Sequence, residues 1–380
     1  MDGDDVSRRD AEAQSAGGPR SCAVAIDRSG WKRVRLGDLV ENNTISMGRG
    51  NVISKETIAA SPGNYPVFSS SATGDGIIGY YSKFMFDDER LSWSIDGGGR
   101  FFYHPKSRYS VTNVSGWIKV NKPYEITSRF LYIALDAEWQ KKHFDYQTKA
   151  HPSIIKNEYT ISHPTLGEQN RITAAIATCE NNISALQSLI AKYEAIKKAT
   201  VNLLLKPKVW WQEKPLGDLA FIKTGGKNTQ DAVPSGRYPF FVRSPNVERI
   251  DTYSYDGEAV LVAGDGVGAG KVFHYINGKH DCHQRVYRVR DFKPEILGRY
   301  IYRVLSEQFP AYMERRNDKA SVDSLRLPAF KGFPVYFPDV GEQKRTVEIL
   351  DSIGSTISSL KSQLAKTQDI KQGMMTYFFG

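Results

Sequence analysis

The stretch WKRVRLGDL at residues 31–39 returns as WQEKPLGDL at residues 211–219. Trp31, Leu36, Gly37, Asp38 and Leu39 are answered by Trp211, Leu216, Gly217, Asp218 and Leu219, an offset of 180. A second signature closes each segment: Pro164, Gly167, Glu168, Gln169 and Arg171 come back as Pro338, Gly341, Glu342, Gln343 and Arg345, at an offset of 174. Openings and closings coincide, and only the middles differ. Solenoid repeats recur at about 20–50 residues, so a period this long means two copies of a whole domain. Two like domains on one chain are expected to be related by a pseudo-two-fold axis, which suits a target that is itself in two parts.

At 380 residues the chain can build two domains of ordinary size, each with its own core. Its formal net charge of +9 favours a polyanionic partner, because basic side chains gain affinity by displacing counterions from phosphates. Cys22, Cys179 and Cys282 lie far apart without paired spacing, which argues against a disulfide framework and a structural zinc site and fits a reducing, cytoplasmic setting. No apolar run approaches the roughly 18 residues of a membrane span, so no membrane association is expected. Residues 1–30 are polar, small and charged without periodicity and read as a disordered extension outside the repeated plan.

Beyond each Gly-Glu-Gln signature the apolar and small residues keep a heptad. Ile172, Ile176, Cys179, Ile183, Leu186, Ile190 and Tyr193 are spaced by alternating steps of 4 and 3, and Thr346, Leu350, Ile353, Ile357, Leu360, Leu364 and Thr367 repeat those steps 174 residues on. After Tyr193 the stripe is expected to shift to Ile196, Thr200 and Leu203, matched by Ile370, Met374 and Tyr377. Glu168 and Glu342 sit in the first turn, where a carboxylate complements the helix dipole, and Pro207 closes the first helix. The helices, 168–205 and 342–379, should each reach about 57 Å. A rod of that length cannot bury its stripe alone, and its best partner is its twin. The expected fold class is α+β: two similar globular domains separated by a long antiparallel two-helix coiled coil, as a pseudo-two-fold internal repeat. The expected divisions are the extension 1–30, a first domain 31–165, a central helical region 166–208, a second domain 209–338 and a C-terminal helical region 339–380. Ile172, Ile176, Ile183, Leu186, Ile190, Leu350, Ile353, Ile357, Leu360 and Leu364 are the expected coiled-coil interface.

The variable middles are rich in Gly, Tyr, Phe, Val and Ser, with short alternating runs that read as twisted sheets joined by polar loops. Helical spacing interrupts them at 128–144 and 294–314. Several loops hold residues suited to DNA. Ser69, Ser70 and Ser71 follow one Tyr-Pro strand, and Arg243, Ser244 and Asn246 follow the other. Hydroxyls and amides bond phosphates or base edges, and arginine bonds guanine through two donors, so different residues at matching loops would read different half-sites. Asn113 matches the region of His283, Gln284 and Arg285, while Lys149 to His151 match Lys319 to Ser321. The alternative for any single one of these residues is a solvated turn, so they are candidates as a set.

The glycine clusters at 97–99 and 264–270 invite a nucleotide-binding reading. The run after the later cluster, Lys271 to Ile276, has the pattern of a strand, though, whereas a pyrophosphate loop needs a helix N-terminus, and no phosphate-loop motif is completed. Arg100 and Lys271, at the ends of these clusters, remain candidates to neutralise a DNA phosphate. His280, Cys282 and His283 lack a second ligand pair, so no metal site is assigned. No methyltransferase, helicase or nuclease signature is present, and no catalytic residue is assigned.

With both openings, both helix entries and two differing middles in view, the chain across 31–380 resembles the specificity subunit of Type I restriction-modification systems. The resemblance implies two target recognition domains, each reading one half of a bipartite sequence in double-stranded DNA, and helical regions that dock two methylation subunits. It implies further that restriction subunits join the complex and that S-adenosylmethionine, ATP and Mg²⁺ are bound by those partners. The rival readings are a nuclease or modification enzyme acting alone, which activity of the purified protein with DNA, Mg²⁺ and S-adenosylmethionine would reveal, a recognition subunit of another multisubunit DNA methylation system, which neighbouring genes would distinguish, and a protein-binding coiled-coil scaffold, which a steep salt dependence of duplex binding would exclude.

Overall fold

A computed structural model of the chain describes residues 28–70, 74–142, 149–316 and 324–380, so most of the extension expected at 1–30 lies outside the described residues. It divides into two compact units. Among the described residues, the first gathers those up to Asn181 with Asp369–Gly380, and the second those from Asn182 to Gln368. Each is mixed α and β.

In the first unit the elements run β1 Lys32–Arg35, α1 Leu36–Glu41, β2 Ile45–Arg49, α2 Lys55–Ala60, β3 Pro62–Phe68, β4 Ile77–Tyr81, β5 Arg90–Ser94, β6 Phe101–His104, β7 Ser110–Val111, β8 Ser115–Val120, α3 Ser128–Gln140, α4 Pro152–Glu158, β9 Thr160–His163 and the start of α5 Leu166–Leu204. The second unit takes in the rest of α5 and then β10 Gln212–Pro215, α6 Leu216–Leu219, β11 Phe221–Thr224, β12 Tyr238–Phe241, β13 Val247–Ile250, β14 Tyr255–Ala263, β15 Phe273–Cys282, β16 Val286–Arg290, α7 Gly298–Arg316, α8 Leu327–Lys331, β17 Pro334–Phe337 and most of α9 Val340–Phe379. The helices expected within the middles correspond to α3 and α7. The short helices α2, α4 and α8 carry too few residues for a periodicity to show in sequence.

The repeated signatures form a clasp that closes each unit. β1 pairs antiparallel with β9, Lys32 opposite His163, and β10 pairs antiparallel with β17, Gln212 opposite Phe337. The backbone N–H of Leu36 donates to Tyr159 O at 2.8 Å and that of Leu216 to Phe333 O at 2.9 Å. Both leucines of each LGDL are buried. The glutamine of each Gly-Glu-Gln is fully buried and spends its whole amide on backbone. Gln169 Nε2 donates to Glu125 O and Pro164 O at 2.9 and 3.0 Å, while its Oε1 accepts from Thr127 N at 3.0 Å. Gln343 does the same with Glu295 O, Pro338 O and Leu297 N, each at 2.9 Å. A buried side-chain amide with three of its four capacities met is a specific staple, because each abandoned partner would be an unpaired backbone group.

The sheets differ between the copies. The second unit has one six-stranded sheet in the order β11-β16-β14-β15-β12-β13, whereas the first has a four-stranded sheet β2-β8-β5-β6 and a three-stranded sheet β4-β3-β7. Register identifies the cause. β6 pairs with β5 as the start of β15 pairs with β14, and β7 pairs in parallel with β3 as the end of β15 pairs in parallel with β12. One ten-residue strand is thus two short ones in the first unit, and Pro105 comes directly after β6. Proline has no N–H for the ladder and ends a strand in the middle of a sheet.

The long helices keep the expected heptad, and in each unit a stretch of α5 runs antiparallel to a stretch of α9. In the first unit Ile172 and Ile176 are buried with Phe378 and Phe379, and Lys371 bonds Glu180 at 2.9 Å. In the second Leu350 is buried with Leu205, and Lys361 bonds Glu194 at 2.8 Å. Ile190, Ile357 and Leu360 are also buried, and Ile183, Leu186, Ile353 and Leu364 are half-buried. The shift expected after Tyr193 is met only at Thr200 and Met374, both half-buried and Met374 packed on the first unit's core, and is corrected at the other four positions. Ile196 and Leu203 are 39% and 72% exposed, and Ile370 and Tyr377 are 59% and 48% exposed. The covered line continues instead through Lys197, Val201 and Leu204, and through Lys371, Met375 and Phe378. A lysine can hold a seam position by laying its stem on apolar surface while its amine meets a carboxylate, as Lys197 does with Glu307 at 2.7 Å.

Candidate nucleic-acid interface

In the second unit four loops meet at the ends of β11, β12, β14 and β15. Gly225 N donates to Val286 O at 3.1 Å, Gln284 N to Lys227 O at 2.8 Å, His283 N to Phe241 O at 2.9 Å and Gly264 N to Arg285 O at 2.8 Å. The approach is so close that a Cβ on Gly225 would stand 1.9 Å from Cys282 O, so only glycine fits. These backbone ties fix where the loop side chains emerge.

Arg243 and Arg285, on different loops, both face Asp265. Arg243 Nη1 lies 2.8 Å from Asp265 Oδ1 and Arg285 Nε 3.6 Å from Oδ2, with the arginine side chains 46% and 61% exposed against 21% for the aspartate. Arg243, Ser244, Asp265 and Lys271 line one groove of about 680 Å³ together with Val267, which is 99% exposed at the tip of its glycine-rich loop. Gln284 and Arg285 line a second groove of about 440 Å³ with Ser324. Ser244 Oγ donates to Asn246 O and accepts from Asn246 N, both at 3.1 Å, and so shapes the turn. Gln284 Nε2 donates to Asn228 Oδ1 at 2.5 Å. The glycine-rich loop joins β14 to its antiparallel neighbour β15, so it leads into a strand and not a helix, in line with the sequence pattern.

His283 is not part of that surface. It is 5% exposed, its Nδ1 accepts from Arg285 N at 3.0 Å, and burial, with Arg243 nearby, holds its pKa below the usual histidine range. As a candidate contact it is corrected to a loop organiser, because the backbone that brings it beside Phe241 carries the ring inward. His280 and Cys282 are buried too, and burial pushes the Cys282 thiol up to about 11. Among the described residues no group of three or more His, Cys, Asp or Glu side chains is placed to hold a metal ion.

The first unit builds the corresponding loops from the same ties. Gly50 N donates to Ser115 O at 3.0 Å, Thr112 N to Phe68 O at 2.8 Å, and Ile95 N to Val114 O at 3.0 Å. The side chains differ. Ser69 Oγ accepts from Thr112 Oγ1 at 2.8 Å, and Ser70 Oγ donates to Val114 O and accepts from Asp96 N, so these hydroxyls are engaged within the unit. Asp96 stands where the second unit has Asp265, and it meets Lys149 Nζ at 3.1 Å. Arg100 Nη1 donates to Gly74 O at 3.3 Å and its guanidinium lies 5.1 Å from the centre of the Phe102 ring. Asn113 is half-buried on the loop before β8. His151 is exposed and caps α4, accepting from Ser153 N at 3.4 Å.

Ser71 and Lys319 lie outside the described residues. The structure also moves one sequence match. Ala150 N donates to Ile95 O and Leu325 N to Gly264 O, so the counterpart of Ala150 is Leu325, and that of the cap His151 is Arg326, the N-cap of α8. Asp96 and Asp265 are site residues that do not stand among the sequence candidates, and their common signal in sequence is an aspartate at the glycine cluster of each copy.

A family model described as the Type I restriction modification DNA specificity domain matches the chain twice, at residues 28–195 and 208–368. A putative type I specificity subunit of Mycoplasma pneumoniae is 22% identical over 359 residues, covering 87% of this chain and 92% of that protein. The specificity subunit of the type I restriction enzyme EcoDI of Escherichia coli is 27% identical over 176 residues, 45% of this chain and 38% of its own. The crystal structure of a Type I restriction-modification S subunit from M. genitalium has a similar fold, with a TM-score of 0.66 at 15% identity over 92% of this chain and 96% of that one.

Proposed function

The chain belongs to the Type I restriction-modification DNA specificity family, twice over, and from that premise we propose that it is the subunit that chooses the DNA sequence for a methylating and cleaving complex. Each unit reads one half of a bipartite target in double-stranded DNA through the loops at its strand ends. The long helices set the unread spacer and dock two methylation subunits, and restriction subunits join through the assembled complex. In this reading the chain recognises and does no chemistry. S-adenosylmethionine, ATP and Mg²⁺ belong to the partners, and the complex works in the cytoplasm. Among the described residues no helix is long and apolar enough to cross a membrane.

The observation that carries the reading is a constant clasp around a variable loop cluster. The strand pairing of the clasp and the Gln169 and Gln343 staples are the same in both units, while matching loops hold Ser70 and Val114 in one and Arg243 and Arg285 in the other. A scaffold that only bound protein would have no need of loops that differ on frames that agree. Sequence is read by side chains at base edges and register is held by phosphate contacts, so a fixed frame with exchangeable loops suits two unlike half-sites. The test is to replace residues 211–338 with the equivalent segment of another such subunit and sequence the methylome. One half of the methylated motif should change and the other stay. A change in both halves would overturn independent reading.

A further inference from the structure

We propose that the second unit reads a guanine with a pair of arginines splinted by Asp265, Arg285 making the base contact and Asp265 acting as a positioning residue. The inference rests on the DNA-recognition reading and adds which base is read, and by which side chains.

A guanidinium has five N–H donors on three nitrogens and reads guanine by presenting two of them side by side to O6 and N7. Asp265 meets Arg243 at Nη1 and faces Arg285 at Nε. The two terminal nitrogens of Arg285 therefore remain as a parallel pair, whereas one terminal nitrogen of Arg243 is already committed. Arg285 is also the more exposed of the two. The backbone below it is fixed: Arg285 N donates to the buried His283 ring, and its carbonyl accepts from Gly264 N at 2.8 Å. A loose arginine loses rotamer freedom on binding, while one already held by a carboxylate loses less. Two arginines and Lys271 against Asp265 and Glu248 still leave the cluster cationic, which suits the electronegative edge of guanine and the phosphates beside it.

The first unit sharpens the inference. Its equivalent carboxylate, Asp96, meets Lys149, and the matching loops carry Ser70 and Asn113. Lysine carries its donors on one nitrogen and lacks the rigid planar fork of a guanidinium, so the arginine device is confined to the second unit's half-site.

The experiment uses the full chain in complex with its methylation subunits. Methylome sequencing of the wild-type complex gives the motif, and duplex binding is then measured with each guanine in turn replaced by 7-deazaguanine, which lacks the N7 acceptor. One position in one half-site should lose roughly ten- to a hundredfold in affinity. Arg285→Lys should lose the preference for guanine at that position and leave the other half-site unchanged. Asp265→Asn should weaken discrimination at the same base several-fold, an effect that a purely structural defect, which would lower methylation at every site, does not produce. If both half-sites lacked a guanine sensitive to the substitution, or if Arg285→Lys weakened all duplexes equally, the arginine would be a phosphate contact and the proposal would fail while DNA recognition stood. If the complex methylated without sequence preference, the recognition reading itself would fail, and this proposal with it.

Discussion

Two strand pairs at matching places in the two units solve one packing problem with opposite volumes. In the first unit Trp93 on β5 stands opposite Gly116 on β8, and in the second Val262 on β14 stands opposite Tyr287 on β16. Trp93 is fully buried and reaches Ala150 O with its indole N–H at 2.8 Å, while Tyr287 is buried from the other strand and donates to Leu325 O at 2.8 Å. Ala150 and Leu325 are structural counterparts, so either aromatic, though launched from a different strand, ties down the same segment. The repeat therefore conserves a filled volume and a hydrogen bond, and residue identities are free to exchange across the sheet.

The largest test of that equivalence is Gly116→Ala. The new Cβ would stand 2.1 Å from the Trp93 ring, which has no open side to move into, so the first unit should lose about 3 kcal/mol, read as faster amide exchange in β5 and β8. With Trp93→Val in place the added alanine should cost at least about 1 kcal/mol less, because the two residues share one space. Equal costs in both backgrounds would mean that the ring is not the obstacle.

The clasp should behave as a true repeat where the sheets do not. Gln169→Leu and Gln343→Leu each strand two carbonyls and one N–H, and each should destabilise its own unit by about 2–3 kcal/mol. Exchange at the clasp strands of each unit reads this out. A loss in one variant and none in the other would break the symmetry of the two staples.

The smallest effect concerns acid. His104 in β6 stacks on Tyr109 and meets Phe68 with its ring tilted, with Ser92 Oγ 2.6 Å from its Nε2, and burial pushes its pKa down to about 4. The second unit has Ile276 at that register position. A histidine buried neutral takes up its proton more readily when unfolded, at a pKa of about 6.5. Its contribution is therefore complete above that value and is lost as pH falls toward 4. The first unit should lose about 2 kcal/mol through this residue between pH 7 and pH 5. His104→Phe should flatten that slope, and a slope left intact would place the acid sensitivity elsewhere.

Legibility in the sequence tracks distance along the chain. The LGDL leucines, the heptad and the Gly-Glu-Gln helix entries are local patterns, each set within a few turns, and the copies lie on one line of sequence for comparison. Apart from Pro164 and Pro338, the staple partners of Gln169 and Gln343 lie more than forty residues away, with nothing in Glu125 or Glu295 to mark carbonyls as acceptors. Lys197 and Lys371 do not show as seam residues because their type says charge, while the packed stem depends on a neighbouring carboxylate. The inward turn of His283 and the match of His151 to Arg326 depend on strand register, which insertions in the middles conceal.

That there are two copies, where each begins and closes, and where its long helix runs are properties of the linear chain, because they rest on periodicity and short-range signals that need no knowledge of the third dimension. Which loops meet, that one carboxylate faces two arginines from different loops, and that a strand broken at Pro105 turns one sheet into two came only with the folded coordinates. The reason is physical: side chains interact through space at a few ångströms, and chain separation says nothing of that distance until every strand has found its register.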